Sequence, residues 1–169
     1  TVGVLDKAFP AAGAAAWGGL PFSELAADMT REAVEKAEQL CPNPRTVLVA
    51  AFPYYAGERG GNLSLYARGL DYHTVVTQRL NTICDFLKEK YENGRFLPAA
   101  DNSPLPERQA AWRCGVGLRG RHGLVILPPY GSYVFLGTIL TDAVLELLPS
   151  APSLGCADCG RCRAACPGG

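Results

Sequence analysis

Thr46-Val-Leu-Val-Ala-Ala-Phe-Pro53 is the stretch of sequence that decides the fold. It is a short, continuous apolar run bounded by prolines, which is the pattern of a β-strand in the protein interior. Two later apolar runs, residues 123–127 and 133–140, are separated by the turn-forming stretch Pro128-Pro-Tyr-Gly-Ser132. We therefore predict a strand over residues 46–53 and two later strands joined by a tight connection.

Helical periodicity is present between these apolar runs. Residues 22–40 and 71–92 carry apolar side chains at helical spacing with charged residues between them, and a shorter helix is predicted over residues 106–114. Residues 8–21 and 98–106 are rich in turn formers and are predicted to be largely irregular, with at most a short helix in the first of them. The pattern predicts an α/β (α+β) single domain with a sheet flanked by helices.

The composition is that of a globular protein without a strong charge bias. Of its 169 residues, 48% are hydrophobic and 19% are charged, and 16 basic side chains balance 16 acidic ones. Net charge therefore gives no argument for nucleic-acid or membrane binding. No apolar run approaches the roughly 20 residues of a membrane span, and the start of the chain lacks the pattern of a signal peptide. We expect a cytoplasmic protein without a membrane partner.

Four cysteines lie near the end of the chain, in Cys156-Ala-Asp-Cys159-Gly-Arg-Cys162-Arg-Ala-Ala-Cys166-Pro167. This C-x2-C-x2-C-x3-C-P spacing is the one with which bacterial ferredoxins bind iron–sulfur clusters, the first three cysteines on one cluster and the fourth on the other. Structural zinc favours two well-separated ligand pairs, and a disulfide framework suits a smaller secreted protein. We predict Cys156, Cys159, Cys162 and Cys166 as ligands of 4Fe-4S clusters.

These cysteines form the first half of a bacterial ferredoxin-like 4Fe-4S module. A linker rich in Pro, Ser and Gly precedes them, so we predict an α/β domain over residues 1–150 and an incomplete iron–sulfur segment over residues 151–169. Because no second cysteine run is present, we expect this form to bind iron poorly. Cys84 and Cys114 fall on the apolar sides of predicted helices and are expected to be core residues.

Four segments in the middle of the chain have a characteristic order and spacing. They are Tyr66-Ala-Arg-Gly-Leu-Asp-Tyr-His73, Asp101-Asn-Ser-Pro-Leu-Pro-Glu-Arg108, Cys114-Gly-Val-Gly-Leu-Arg-Gly-Arg-His122, and Tyr130-Gly-Ser-Tyr-Val-Phe-Leu-Gly137 followed by Thr141-Asp142. Together they resemble the epoxyqueuosine reductase family, of which this chain would be a short or C-terminally truncated member. The resemblance implies an α/β domain that binds base-off cobalamin, electrons from 4Fe-4S clusters fed by a reductant such as ferredoxin or flavodoxin, and an epoxide-bearing tRNA nucleoside as substrate.

The resemblance also implies site residues. Those on the cofactor side are Tyr66, Asp71, Tyr72, His73, Gly131 and Ser132, and Asp101 matches the family's proposed general acid. Opening an epoxide leaves charge on oxygen that needs a proton, so a carboxyl group partly buried beside a bulky apolar cofactor suits the task. From the residues alone, each of these positions also has a structural interpretation as a turn or a helix cap.

One concentration of basic residues has two interpretations. Arg108, Arg113, Arg119 and Arg121, with His122, can contact tRNA phosphates or can form a solvated face. We predict an iron–sulfur, corrinoid-dependent reductase. The alternatives are an electron-transfer protein without corrinoid, whose α/β part docks a redox partner, and a corrinoid-binding protein without turnover.

Overall fold

The computed structural model describes residues 2–57, 60–147, 152–153 and 155–168. Its strands are β1 (Ala16–Pro21), β2 (Thr46–Pro53), β3 (Phe96–Ala99), β4 (Leu118–Arg119), β5 (Val125–Ile126) and β6 (Val134–Thr141). Its α-helices are α1 (Val2–Ala11), α2 (Phe22–Ala26), α3 (Arg31–Leu40), α4 (Tyr72–Lys90), α5 (Glu107–Arg113) and α6 (Arg161–Ala164). A 3-10 turn at Leu65–Ala67 precedes α4.

Four of the strands form one antiparallel sheet in the order β1-β2-β6-β3, and β4 pairs with β5 in a separate two-stranded ribbon. Strand β2 pairs with β6 along its whole length, so Val47 lies opposite Leu140 and Leu48 opposite Ile139. Both faces of β2 are covered, because Leu48 packs into one apolar cluster and Val47 into the other. A strand buried on both faces carries a continuous apolar run, as the sequence indicated.

The two clusters give the domain three layers. Helices α1 and α4 cover one face of the sheet, where Val76, Leu80 and Ile83 of α4 are buried against Ile139. Helices α2, α3 and α5 contribute to the cluster on the other face. The predicted α/β class with a helix-flanked sheet is confirmed, and the sheet is antiparallel. No ferredoxin-like module is seen in residues 155–168, which contain only the short helix α6, and the predicted boundary at residues 150–151 lies outside the described residues.

The predictions for residues 46–53, 71–92 and 106–114 are confirmed by β2, α4 and α5. The helix predicted over residues 22–40 is wrong as a single element. It is divided into α2 and α3, and the Thr30 hydroxyl accepts a hydrogen bond from the Ala33 N–H at the start of α3. A threonine N-cap begins a new helix because it satisfies an amide that has no partner within the helix.

The two later apolar runs do not pair with each other as regular strands. Strand β6 joins the main sheet while β5 pairs with β4, and a single bridge between Leu127 and Gly131 closes the connection between β5 and β6. The structure also forms β1 within residues 8–21, and β3 at the edge of residues 98–106, where the sequence predicted irregular chain. Pairing with a neighbouring strand decides both cases. No helix in the described residues is long and apolar enough to span a membrane.

Candidate active site

A cavity of about 390 Å³ opens at the end of the main sheet where β6 begins. Its wall is formed by the start of α4, the loop between β3 and α5, and the approach to β6. The lining side chains that carry polar chemistry are Tyr54, Tyr66, Tyr72, Asp101, Glu107, Arg108 and Ser132. The topology therefore brings residues that are far apart in the sequence to one concave surface.

Tyr72 links the floor of the cavity to Asp101. Its hydroxyl donates a 2.8 Å hydrogen bond to Asp101 Oδ2, and its ring stacks on Phe135 with centroids 4.5 Å apart and planes within 6°. Burial of the phenol, followed by the hydrogen bond to the Asp101 carboxylate, raises the pKa of Tyr72 to about 12. Tyr72 therefore remains a hydrogen-bond donor across the physiological pH range.

His73 lies between two carboxylates. Asp71 caps α4 by accepting the His73 backbone N–H at 2.9 Å, and the same carboxylate lies 2.8 Å from His73 Nδ1. On the other side of the ring, His73 Nε2 lies 3.5 Å from Asp101 Oδ2. The hydrogen bond to Asp71 raises the pKa of His73, and the same bond lowers the pKa of Asp71. The arrangement favours a protonated imidazole that faces Asp101.

Asp101 lies in a loop with left-handed backbone geometry, at φ 68°. Its side chain is 64% exposed within the chain itself, and its partial burial beside a bound cofactor stays a prediction. The partly buried carboxyl group is instead Glu107, whose Oε1 accepts the Asp101 backbone N–H at 3.0 Å. Burial raises the pKa of Glu107 to about 7. Sequence reasoning missed Glu107, although it lies in the first turn of a predicted helix within the same segment.

The remaining predicted site residues are divided between the cavity and a turn. Tyr66 lines the cavity and meets Tyr72 edge to face at 6.3 Å, and Ser132 lines it from the side of β6. Gly131 does not contribute to the lining and has φ 63°, which serves the turn after β5. The positive φ supports the turn interpretation of Gly131, and its contact with a cofactor stays a prediction.

Known proteins resemble this chain both in sequence and in fold. The family described as "Epoxyqueuosine reductase QueG, DUF1730" matches residues 35–101. The epoxyqueuosine reductase of Synechococcus sp. (strain RCC307) is 35% identical over 144 residues, which cover 83% of this chain and 44% of that protein. That of Synechocystis sp. (strain ATCC 27184 / PCC 6803 / Kazusa) is 32% identical over 158 residues, covering 89% and 54%. The chain belongs to the epoxyqueuosine reductase family. It spans about half the length of these curated relatives.

Solved epoxyqueuosine reductases share the fold. The structure from Streptococcus thermophilus aligns with a TM-score of 0.78 at 24% identity, over 98% of this chain and 52% of that one. A structure with an epoxyqueuosine-modified tRNA-Tyr stem loop aligns with a TM-score of 0.75, and one from Bacillus subtilis, with its aspartate catalytic loop swung out of the active site, aligns with a TM-score of 0.71. Both are 23% identical to this chain, and each alignment covers 98% of this chain and 51% of the other.

A B12-dependent reductive dehalogenase has the same fold at lower similarity, with a TM-score of 0.60 and 15% identity over 89% of this chain and 21% of that one. The resemblance drawn from four short segments of sequence is confirmed for the family.

The aromatic side chains suit contact with the flat face of a corrin ring, such as that of cobalamin. Five aromatic rings contact one another in succession, with these distances between ring centroids: Tyr55–Tyr133 4.9 Å, Tyr133–Tyr54 5.8 Å, Tyr54–Phe135 4.3 Å and Phe135–Tyr72 4.5 Å. We call these five rings the aromatic row. Tyr55 and Tyr133 are partly exposed although they are large apolar groups. Exposed aromatic surface beside a cavity is typical of a ligand-binding site.

The cysteine segment fits a cluster by its donor chemistry. All four cysteines are unpaired, Cys159 and Cys166 are exposed, and the Asp158 N–H donates to Cys156 Sγ at 3.3 Å. Amide hydrogen bonds to cysteine sulfur are one of the contacts that tune iron–sulfur clusters. Within the described part of the chain, however, no three His, Cys, Asp or Glu side chains come together as a metal site.

The basic residues of the segment 108–122 have partners within the chain. Arg108 donates to the Gly123 carbonyl, Arg113 pairs with Asp28, Arg119 lies over the Trp112 ring, and Arg121 pairs with Asp158. These contacts show a structural role for each guanidinium. The contact of Arg121 with Asp158 also joins the cysteine segment to the β4–β5 ribbon.

Proposed function

We propose that this chain is the catalytic part of a reductase that acts on the epoxide of epoxyqueuosine in tRNA, with Asp101 as the proton donor. The observation that carries the proposal is the position of the Asp101 carboxyl group. Tyr72 and His73 hold it at a cavity beside the aromatic row. The names of the relatives and the solved complex with a modified tRNA stem loop support the substrate.

The chemistry requires both electrons and protons. Conversion of an epoxide to an alkene with loss of water consumes two electrons and two protons. The aromatic row would hold cobalamin, and Cys156, Cys159, Cys162 and Cys166 would hold 4Fe-4S clusters. These groups, with a reductant such as ferredoxin or flavodoxin, would supply the two electrons. The chain's own task at the cavity is to place the first of these protons on the epoxide oxygen. The second proton, which completes the departing water molecule, is drawn from solvent.

Asp101 is equipped for that transfer. Both of its side-chain contacts, from Tyr72 and from His73, go to Oδ2, so we assign Oδ1 to the substrate. After Asp101 gives up its proton, the Tyr72 hydroxyl and the His73 ring stabilise the carboxylate that is left. The aspartate catalytic loop named for the Bacillus subtilis structure supports this assignment.

The test is the substitution Asp101→Asn in protein loaded with cobalamin and supplied with electrons by a low-potential chemical reductant, so that the rate does not depend on cluster occupancy. We expect cobalamin binding, followed by spectral titration, to be retained, and reduction of an epoxyqueuosine-containing stem loop to fall by about 10²- to 10⁴-fold. Asp85→Asn, an exposed position on α4 paired with Lys88, is the matched control and should leave the rate unchanged. Full activity of the Asp101 variant would overturn the assignment. Cluster signals without cobalamin binding would instead favour the electron-transfer alternative.

A further inference from the structure

One side chain of the next helix, Glu107, accepts a hydrogen bond from the backbone of the loop that carries Asp101. A left-handed backbone at φ 68° is unfavourable for aspartate, so the surrounding structure must hold it. The loop has short-range bonds of its own, from the Asn102 N–H to the Ala100 carbonyl and from the Ser103 N–H to the Asp101 carbonyl. The Asp101 N–H, in contrast, donates out of the loop to Glu107 Oε1 at 3.0 Å.

Glu107 is placed to respond to protons. It lies in the first turn of α5 and is partly buried in the wall of the cavity. The titratable and charged groups around it are Asp101 from the loop, His73 and Tyr72 from α4, and Arg108 from its own helix. Asp101 opposes the ionisation of Glu107, whereas His73 and the Asp101 N–H favour it.

We propose that Glu107 is the positioning residue of the Asp101 loop, and that ionisation of Glu107 sets how firmly the Asp101 carboxyl group is held. This inference rests on the proposed role of Asp101. An ionised carboxylate accepts a markedly stronger hydrogen bond from an amide than a neutral carboxyl group does. Loss of the charge therefore loosens the one bond that ties the Asp101 backbone to α5.

The ionisation of Glu107 changes in the physiological range. Burial raises its pKa to about 7, so the group passes from neutral to charged as the pH rises through neutrality. The Asp101 loop is then held more firmly on the alkaline side. A positioning group acts on catalysis through geometry, and small displacements of a reacting group can cost about 100-fold in rate.

The first experiment needs no cofactor and no turnover. In ¹⁵N-labelled protein, the amide resonance of Asp101 should titrate with a midpoint near the pKa of Glu107, about 7. Glu107→Gln keeps an oxygen acceptor but removes the charge, and should abolish this step. Glu24→Gln is the matched control, because Glu24 occupies the first turn of α2 and is exposed. It should leave the Asp101 titration intact.

The second experiment follows reduction rate against pH in the reconstituted protein. We expect Glu107→Gln to stay within about fivefold of the wild-type rate at pH 8 and to lose the pH dependence near neutrality. Glu107→Ala should reduce the rate by about 10- to 100-fold, and the glutamine variant should rescue most of that loss. An Asp101 amide that does not titrate, or a Glu107→Gln profile identical to the wild type, would overturn the inference. Asp101→Asn could prove fully active while the Asp101 amide of the wild-type protein still titrates. The proposed role of Asp101 as proton donor would then be wrong, whereas the contact between the Asp101 N–H and Glu107 would be supported.

Discussion

The Tyr72 hydroxyl donates a 2.8 Å hydrogen bond to Asp101 Oδ2 across a separation of 29 residues in the sequence. The ring that carries this hydroxyl stacks in parallel on the Phe135 ring of β6, which restricts its orientation. Helix α4 therefore contacts Asp101 Oδ2 directly, and the main sheet supports that contact through the Phe135 ring. The geometry of the proposed proton donor depends on packing between α4, the β3–α5 loop and the sheet.

Tyr72→Phe separates the hydrogen bond from the stacking. The phenylalanine ring can keep its contact with Phe135, while Asp101 loses the donor that stabilises its carboxylate. We expect the single-turnover reduction rate to fall by about tenfold, which corresponds to about 1.4 kcal/mol of transition-state stabilisation. Tyr91→Phe, at the opposite end of α4, is the control, and an equal loss in both variants would contradict this prediction.

Glu107→Gln should stabilise the fold at alkaline pH. The folded-state pKa of Glu107 is raised from 4.5 to about 7, so its contribution to stability is complete below pH 4.5 and is lost as the pH rises through about 7. Each unit of pKa shift is worth about 1.4 kcal/mol, so the variant should gain up to about 3 kcal/mol over the wild type at pH 8 and little at pH 4.5. Urea unfolding at the two pH values measures the difference. A gain that is equal at both would show that charge burial is not its cause.

The sequence was sufficient for the parts of the structure that depend on local pattern. Strand β2 is buried on both faces and shows it as a continuous apolar run, and α4 shows its buried face as a helical period. Strand β3 could not be found in the same way, because Phe96–Ala99 contains a proline and is short. Its position at the edge of the sheet tolerates a proline, and its pairing with β6 comes from the tertiary fold.

The candidate site was predicted unevenly for a similar reason. Asp101, Tyr72 and His73 were identified through the order of family-like segments, and the structure brings them together. Glu107 was missed because its contact is to a backbone amide in a left-handed turn, and residue spacing gives no sign of such a bond. Burial could not be assigned either, since the carboxyl group that is partly buried is Glu107 while Asp101 is exposed.

Asp71→Asn should lower the pKa of His73. Asparagine retains the capping oxygen for α4, so the helix should keep its N-terminus while the carboxylate charge beside the imidazole is lost. Because the pKa of His73 is raised above 6.5, protonated His73 stabilises the folded protein through its contact with Asp71. This contribution to the free energy of unfolding is complete below pH 6.5 and is lost as the pH rises through the folded-state pKa. The lowered pKa of Asp71 sets the other limit, with stability lost as the pH falls below about 3.8.

Proton NMR titration of the histidine Cε1 resonances provides the measurement. The chain has two histidines, so the resonance of His122 serves as the internal reference. A His73 titration that is the same in Asp71→Asn and in the wild type would show that the Asp71 contact does not form in solution.

Gly18→Ala should destabilise the contact between β1 and α5. A Cβ atom at Gly18 would lie 2.7 Å from the backbone oxygen of Cys114, which cannot move without displacing the end of α5. Overpacking of this kind typically costs about 1–3 kcal/mol, which urea unfolding can resolve. Gly69→Ala is the control, because no atom lies within 4 Å of its added Cβ. Equal stability of the two variants would count against the packing of β1 on α5.

Arg121 and Asp158 should hold the cysteine segment against the β4–β5 ribbon. Their side chains meet at 2.9 Å, and Arg121 lies in the turn that joins β4 to β5, so the pair ties the cysteine segment to that ribbon. An exposed ion pair contributes at most about 1 kcal/mol, so Arg121→Glu should open the segment without unfolding the domain. We expect hydrogen exchange over residues 155–166 to accelerate about two- to fivefold.

The charge swap distinguishes this pair from a general effect of charge on the surface. Combining Arg121→Glu with Asp158→Arg restores opposite charges at the same two positions and should return hydrogen exchange over residues 155–166 towards the wild-type rate. Arg31→Glu, which breaks the exposed pair with Glu35 on α3, should leave exchange in the cysteine segment unchanged. If the double variant exchanges as fast as Arg121→Glu alone, the segment is held by other contacts, such as the 2.7 Å bond from the Ser153 N–H to the Trp112 carbonyl.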